Sequence, residues 1–369
     1  MINRLIYFTI DFKFYLLLLI LTFLIGFISL TLKRTKLILA LVAAGFTLVV
    51  LFTFGEIYFR YVYDQSDGLG FLKVNLKWHQ RHVIFNNYFR RDRQFDQTKG
   101  PGEIRIAVIG DSITFGGGIK HPADRFSDLL QTKLRKDGLN VSVYNLGISG
   151  TGTQEQIKDF NDLQPLNFDL VIWQYYLNDA NPTIGGLGTQ IILASKAKFT
   201  PPPPVKFLTD RSFFADWLYW RLSAQYDQTF KDLVAADLKA YQDKANFARH
   251  QAQIAAFISQ LQRQHLPVIV IVFPFLYQST QAAASQAVYQ NLLDIFATSG
   301  ATAVINLAAA LTPYPAPALM ASRFDSHPNE LVHRLAAEEH VEAGRLLVPG
   351  TVARVVDQHV VVAVGVDVD

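Results

Sequence analysis

Hydrophobic and polar positions divide the chain into two regions with different periods. Phe14 to Leu32, FYLLLLILTFLIGFISLTL, carries no charge and is long enough to cross a bilayer's hydrocarbon core as a helix. The basic KRTK of Lys33 to Lys36 follows, and then a second run of the same kind, Leu37 to Phe54. The pattern predicts a two-helix transmembrane hairpin within residues 1–55. A cleaved signal peptide would show one shorter apolar core and a small-residue cleavage site; a buried helix pair is the other reading of the two runs. Short loops rich in Lys and Arg stay cytoplasmic. Lys33, Arg34 and Lys36 therefore direct both ends of the hairpin outward, which makes the chain a two-span protein of the cell membrane whose remaining residues are extracytoplasmic. Residues 56–101 are aromatic and basic without a clear period, and they read as a juxtamembrane connector.

From Ile104 the pattern changes to short apolar runs alternating with helical ones. The runs Ile104–Ile109, Val141–Tyr144, Asp169–Trp173, Pro267–Phe273 and Ala303–Leu307 are rich in β-branched residues and bounded by turn residues. Helical patterns fall between them over Arg125–Lys136, Gln154–Leu163, 231–265 and Gln281–Ala297, with a last one over Asn329–Leu347. Such alternation predicts a five-stranded parallel sheet with helices on both faces, and fully apolar strands are expected where both faces are covered. The α/β domain is placed at 102–348. Residues 181–230 interrupt it with three glycines, Pro201 to Pro204 and the aromatic SFFADWLYWRL. An insertion of this length is a lid, a cover over the sheet edge, or a segment lying on the membrane surface. The C-terminal extension, 349–369, is strand-like and carries no chemistry that can be named.

Composition narrows the possibilities. Of 369 residues, 50% are hydrophobic and 18% charged, and the excess of apolar residues sits in the two N-terminal runs. There are no cysteines, which excludes a thiol nucleophile, thiolate metal sites and disulfides. A formal charge of +3, with no basic run interleaved with aromatics, offers nothing to a nucleic acid. The histidines outside the site, His79, His82, His121, His250, His265, His333, His340 and His359, show no metal-binding spacing and read mostly as surface residues. No metal or cofactor is expected.

The chemistry gathers where the strands end. The first runs into Gly-Asp-Ser and then glycine, GDSITFGGG, and delivers Ser112 to a tight turn. A phosphate cradle would need G-x-x-x-x-G-K-[ST]; no Lys follows Gly116, Gly117 or Gly118, and Asp111 would repel an anion. A serine nucleophile needs a base and an oxyanion hole, and in open α/β sheets such parts meet beyond the carboxyl ends of the strands. YNLGISG after the second strand places Gly147, with a bare N–H, in a sharp turn. VIWQYYLND after the third places Asn178 and its amide at the same rim. FDSHPNE, before the last helix, supplies Asp325 and His327, a carboxylate able to hold one imidazole nitrogen while the other faces the serine. Each piece also has a plain structural reading: a turn for Gly-Asp-Ser and Gly147, an Asx turn for Asn178-Asp179, and a helix cap at Asn329. Asp111 and Asp179 read as loop-shaping residues.

Taken together and in this order, the motifs resemble the SGNH subgroup of the GDSL hydrolase superfamily. Its Ser, Gly, Asn and His blocks match Ser112, Gly147, Asn178 and His327, with Asp325 completing a triad. NNYFRRDRQF, Asn86 to Phe95, is similar to the N-x-x-G-[FY]-R-D-x-E lead-in of membrane-anchored or secreted members. The resemblance covers roughly 86–347 and implies a flavodoxin-like three-layer sandwich with metal-independent ester chemistry. It also implies catalytic residues Ser112, His327 and Asp325, with an oxyanion hole from Ser112, Gly147 and Asn178. Three departures stand out: Ile113 replaces Leu, Tyr176 occupies the Gly position of G-x-N-D, and Asp-x-His replaces Asp-x-x-His. The expected function is a membrane-anchored serine esterase that removes an acyl group, such as acetyl, from a glycan or lipid through an acyl-enzyme on Ser112. An O-acyltransferase would use the same triad, and a non-catalytic glycan-binding or scaffold module in the cell envelope is the reading from a different class.

Overall fold

The computed structural model describes residues 36–181, 187–223, 225–276, 282–345 and 360–362, with scattered positions between 16 and 27. Backbone contacts divide the chain into two compact units.

The first unit comprises residues 1–65, 70–78 and 198–225. Its main element is α1, Lys36–Ile57, extended by a π-helical turn at Tyr58–Val62. Leu39–Val62 is long and apolar enough to cross a membrane, and among the described residues it is the one helix that is. Most of the first predicted span, Phe14 to Leu32, lies outside the described residues; the positions that are described are helical, and Phe23 packs its ring 6.4 Å from that of Phe46. The aromatic segment of the insertion forms the helix Phe213–Leu222 and packs on the end of α1. Phe214 stacks on Phe59 at 5.6 Å and meets Phe52 edge-on at 5.3 Å, while Trp217 lies 4.4 Å from Phe59. Buried Glu56 fixes this junction. It accepts from Arg60 Nε at 2.7 Å, from Ser212 Oγ at 2.6 Å and from the Phe214 N–H at 3.0 Å, so it caps the helix together with Ser212. A carboxylate next to an apolar helix is tolerable because each oxygen is paired.

The second unit, residues 66–69, 79–197 and 226–369, holds the sheet. Strands β1 (Ile104–Ile109), β2 (Val141–Asn145), β3 (Leu170–Tyr176), β4 (Val268–Phe273) and β5 (Ala303–Asn306) are parallel in the order 2-1-3-4-5, the flavodoxin-like order. The third strand runs three residues past its expected end because Gln174, Tyr175 and Tyr176 continue the ladder with Ile271, Val272 and Phe273. Alternation along β1 sends Ile106 and Val108 to one face and Ala107 and Ile109 to the other. The first face packs on Phe126 and Leu130 of the helix Phe126–Lys136 and on Val332 and Ala336 of the helix Glu330–Arg345. The second packs on Phe160, Phe257 and Phe296, each from a different helix. Both faces are dry, which is why the strands read as continuous apolar runs.

Two further features differ from expectation. The single helix expected over 231–265 is two, Gln225–Gln242 and Lys244–Arg263, because Asp243 leaves the helical region and caps the second through the N–H groups of Ala245 and Asn246. His250 and His333, read as surface residues, are buried. Tyr175 Oη lies 2.6 Å from His250 Nε2, and the Phe126 N–H donates to His333 Nδ1 at 3.1 Å. Burial pushes their imidazoles down, to about 4 and about 3. Within the tail, Val360–Val362 pairs antiparallel with β5.

Candidate active site

Strand order 2-1-3 places the topological switch between β1 and β3, where a doubly wound sheet opens a crevice beyond its carboxyl ends. Ser112 leaves β1 at that point as the first residue of a one-turn helix, Ser112–Phe115. Buried Asp111 caps the turn by accepting from the Ile113 N–H at 2.9 Å. Gln174 braces it from β3, its Oε1 accepting from Asp111 N at 3.3 Å, Thr114 N at 3.2 Å and Thr114 Oγ1 at 2.9 Å. Arg91 ties down the other end, donating to the carbonyls of Gly116 and Ile119, each at 2.6 Å. That is the structural use of the arginine-rich lead-in. Burial lowers the Arg91 guanidinium to about 10.

The lead-in keeps Asn86, Arg91 and Asp92 of its motif and departs from it at three places: Phe89 for Gly, Arg90 for [FY] and Gln94 for Glu. Where N-x-x-G carries Gly, this chain has Phe89, held in the left-handed region at φ 56° by a turn around Asn86, whose Oδ1 accepts from Tyr88 N and Arg90 N. The Phe89 side chain is 79% exposed.

Asp325 and His327 come from a hairpin, Met320–Ser322 against Asp325–Pro328. In a strand, residues two apart share a face, and the Asp-x-His spacing puts carboxylate beside imidazole. His327 Nδ1 lies 2.5 Å from Asp325 Oδ1, which also accepts the His327 N–H at 3.0 Å. The other carboxylate oxygen accepts the hydroxyl of Ser66. Burial pushes the Asp325 carboxyl up, but the attraction of His327, its hydrogen bonds and that of Ser66 outweigh it and hold the group below the ordinary range. Burial likewise lowers the His327 imidazole, and the charge and hydrogen bond of Asp325, aided by Asp111, raise it overall. The ring lies against Gly117, where an added Cβ would sit 3.1 Å from Nε2; the Gly117 N–H in turn donates to the Ser112 carbonyl at 2.8 Å. The imidazole is thus laid on the serine turn. No hydrogen bond closes the pair, however: among the described residues the partner of Ser112 Oγ is Asp111 Oδ2, at 3.4 Å.

Ser112, Asn178 and His327 border one cavity of about 140 Å³, together with Tyr176, Ser149 and the apolar Phe230, Val234 and Phe275. Asn178 sits in a tight turn closed by the Asp179 N–H to the Tyr176 carbonyl at 2.9 Å, with Asp179 Oδ2 accepting the Tyr176 N–H at 3.0 Å. Asp179 therefore shapes the loop. The Asn178 side chain faces Asp111, whose carboxyl burial pushes up, against the Ile113 N–H, His327, Asn178 and Gln174. Tyr176, in place of Gly, packs edge-on to Phe275 at 5.2 Å and narrows the cavity.

Gly147 is arranged differently from expectation. Its N–H does not face the cavity but donates to Asn145 Oδ1 at 3.1 Å. Asn145 is a hub, its Nδ2 donating to the Thr114 carbonyl at 2.6 Å and to Ser127 Oγ at 2.8 Å. What demands glycine is proximity: a Cβ at 147 would strike the backbone of Thr114 and Phe115. The missing side chain lets the turn after β2 close against the serine turn.

A family model described as GDSL-like lipase/acylhydrolase matches residues 108–335, well over half of the chain and spanning every residue of this site except Ser66 and the lead-in. The chain belongs to that family. As a GDSL-type protein it is a hydrolase of ester bonds. Similar solved structures include TesA (16% identity, TM-score 0.40, covering 66% of this chain and 99% of that one). The esterase EstA from Pseudoalteromonas sp. is another (14%, 0.38, 66% and 97%), as is the acetylxylan esterase Axe2 from Geobacillus stearothermophilus (13%, 0.39, 65% and 93%). No curated protein matches this GDSL hydrolase.

Sequence reasoning missed Ser66, Gln174, Asn145 and Arg91 as supports. Gln174 carried a readable signal, a polar residue inside a strand dry on both faces; Ser66, in YDQSDGLG, carried none.

Proposed function

We propose that this GDSL hydrolase is a membrane-anchored serine esterase that removes a short acyl group from a glycan or lipid outside the cytoplasm. The observation that carries the reading is the Asp325–His327 pair, set at 2.5 Å and laid against the turn of Ser112 at the mouth of one cavity. His327 Nε2 takes the Ser112 proton as Oγ bonds to the ester carbonyl carbon, and Asp325 keeps Nδ1–H directed away from the serine. The Ser112 N–H and the Asn178 amide receive the oxyanion. The Gly147 N–H, given to Asn145 in the resting structure, is the third donor of the proposal. The alcohol leaves with the proton held by His327, and water, activated by the same imidazole, releases the acid and restores Ser112. Tyr176, bordering the cavity where the family motif has Gly, favours a small acyl group. The anchor of the proposal is the two-span hairpin, with Lys33, Arg34 and Lys36 on the cytoplasmic side.

The test is turnover of p-nitrophenyl acetate and of acetylated oligosaccharides by the full chain in detergent. Ser112→Ala is expected to lose at least about 10⁴-fold in kcat/KM. Equal turnover by both proteins would remove the nucleophile, and turnover that needs an added sugar acceptor would make the enzyme a transferase.

A further inference from the structure

Asp237 stands apart from every residue used so far. It lies on the helix Gln225–Gln242, is 6% exposed, and yet borders the cavity shared by Ser112 and His327. Asn181 Nδ2 donates to its Oδ1 at 3.0 Å. Among the described residues no cation pairs with it and its second oxygen has no hydrogen-bond partner, while the residue itself lines the cavity. The same cavity is lined by the apolar Phe230, Leu233, Val234 and Phe275 and by Tyr176, which is close enough to feel the charge of Asp237. Asn181 also gives its N–H to the Asn178 carbonyl at 2.7 Å, so the carboxyl is fixed relative to the turn that carries Asn178.

Burial pushes the Asp237 carboxyl up to about 8 despite the bond from Asn181. At neutral pH the group is therefore mostly a neutral acid, an O–H donor with an acceptor oxygen beside it. A neutral acid suits a partner that both gives and takes a hydrogen bond, as a hydroxyl does, better than an ammonium group. An alkyl chain laid against it would leave the buried O–H unpaired. Among the described residues its one hydrogen-bond partner is an amide, which does not itself call for a carboxyl in this wall.

We propose that Asp237, braced by Asn181, determines specificity by binding a free hydroxyl on the alcohol part of the ester, so that the natural substrate is an acylated sugar rather than an ester of a simple alkyl alcohol. The proposal deepens the esterase reading of the same cavity and rests on it.

The test is binding to the full chain carrying Ser112→Ala, which holds the ester uncleaved. Affinity is measured by calorimetry for a methyl O-acetyl-pyranoside with a free neighbouring hydroxyl and for its deoxy counterpart. The hydroxylated ligand is expected to bind about tenfold more tightly. Asp237→Leu brings that ratio to about one, whereas Asp237→Asn, which keeps an acceptor for Asn181 and a donor for the ligand, retains most of it. A parent protein that does not distinguish the two ligands overturns the proposal without any variant. So does a ratio unchanged by Asp237→Leu, or an equal loss of both ligands, which marks a brace for the Asn178 turn and nothing more. The same sugar acetate offered free and as an alkyl glycoside in lipid vesicles separates a soluble glycan from a glycolipid headgroup by which form binds more tightly. Because binding is read in a protein without its nucleophile, failure of the esterase reading shows in turnover by the native chain and failure of this proposal shows here.

Discussion

Replacing Ser66 by Ala removes one of three bonds that hold Asp325. The carboxylate is 1% exposed. Oδ1 keeps His327 Nδ1 at 2.5 Å and the His327 N–H at 3.0 Å, but Oδ2 loses its hydroxyl. A hydrogen bond to a charged group contributes about 1.5–3 kcal/mol. Charged wholly to the transition state, where Asp325 steadies an imidazolium, that would be about 10- to 150-fold in rate at about 1.4 kcal/mol per tenfold. Asp325 is already ionised in the free enzyme, held below its ordinary range against burial by His327 and Ser66, so part of the loss falls on the ground state. The expected fall in kcat/KM for p-nitrophenyl acetate is therefore about tenfold. The pH profile supplies the sharper readout. In the proposed mechanism His327 acts as a base only when neutral; its pKa is raised above 6.5 because Asp325 outweighs burial, so the acidic limb is expected above 6.5. Ser66 shares the carboxylate's charge; without it more of that charge falls on the imidazole, and the limb moves further up. Stability follows the depressed carboxyl: its contribution is present above the unfolded value of 3.8 and is lost as pH falls through the lower folded one. Ser66→Ala thus lowers the urea midpoint near about pH 7 and converges with the parent as pH falls below 3.8. A loss under about twofold, or an acidic limb moving down, would refute the assignment of Ser66 as the support of Asp325.

Two further substitutions test the backbone of the site. Gly147→Ala drives a Cβ into the backbone of Thr114 and Phe115, which has no side chain to swing aside; the expected cost is about 1–3 kcal/mol in thermal unfolding and about a hundredfold or more in kcat/KM. Native-like behaviour would mean that the two turns are not locked together. Phe89→Gly relieves a left-handed φ of 56° at a position 79% exposed, and is expected to stabilise by about 1 kcal/mol, seen as a rise in Tm. A fall would show that the phenyl ring contributes more than the turn loses.

The five parallel strands were legible because a sheet covered on both faces must be apolar at every position. The placement of Ser112, Asn178 and His327 on one cavity, with Asp325 bonded to His327, was legible for a related reason: each follows or lies in a short strand whose end is marked by Gly, Asn or Pro. Their supports obey no such rule. Ser66 meets Asp325 across 259 residues, and Arg91 meets Gly116 across 25, so neither period nor spacing announces the contact. Gln174 marks the limit of what pattern can show. Its polarity inside a dry strand says that it must be bonded, but only the fold reveals that the bonds go to Asp111 and Thr114 and hold the serine turn. Asp237 extends the same logic one step. Among the described residues, Asn145 and Asp325 each answer the question a buried polar group poses with protein partners on more than one bond, whereas Asp237, on the border of the cavity, answers it with Asn181 alone. Of these buried polar groups it is the one whose account is completed from outside the protein, and for that reason its substitution should be read in ligand selectivity before it is read in stability.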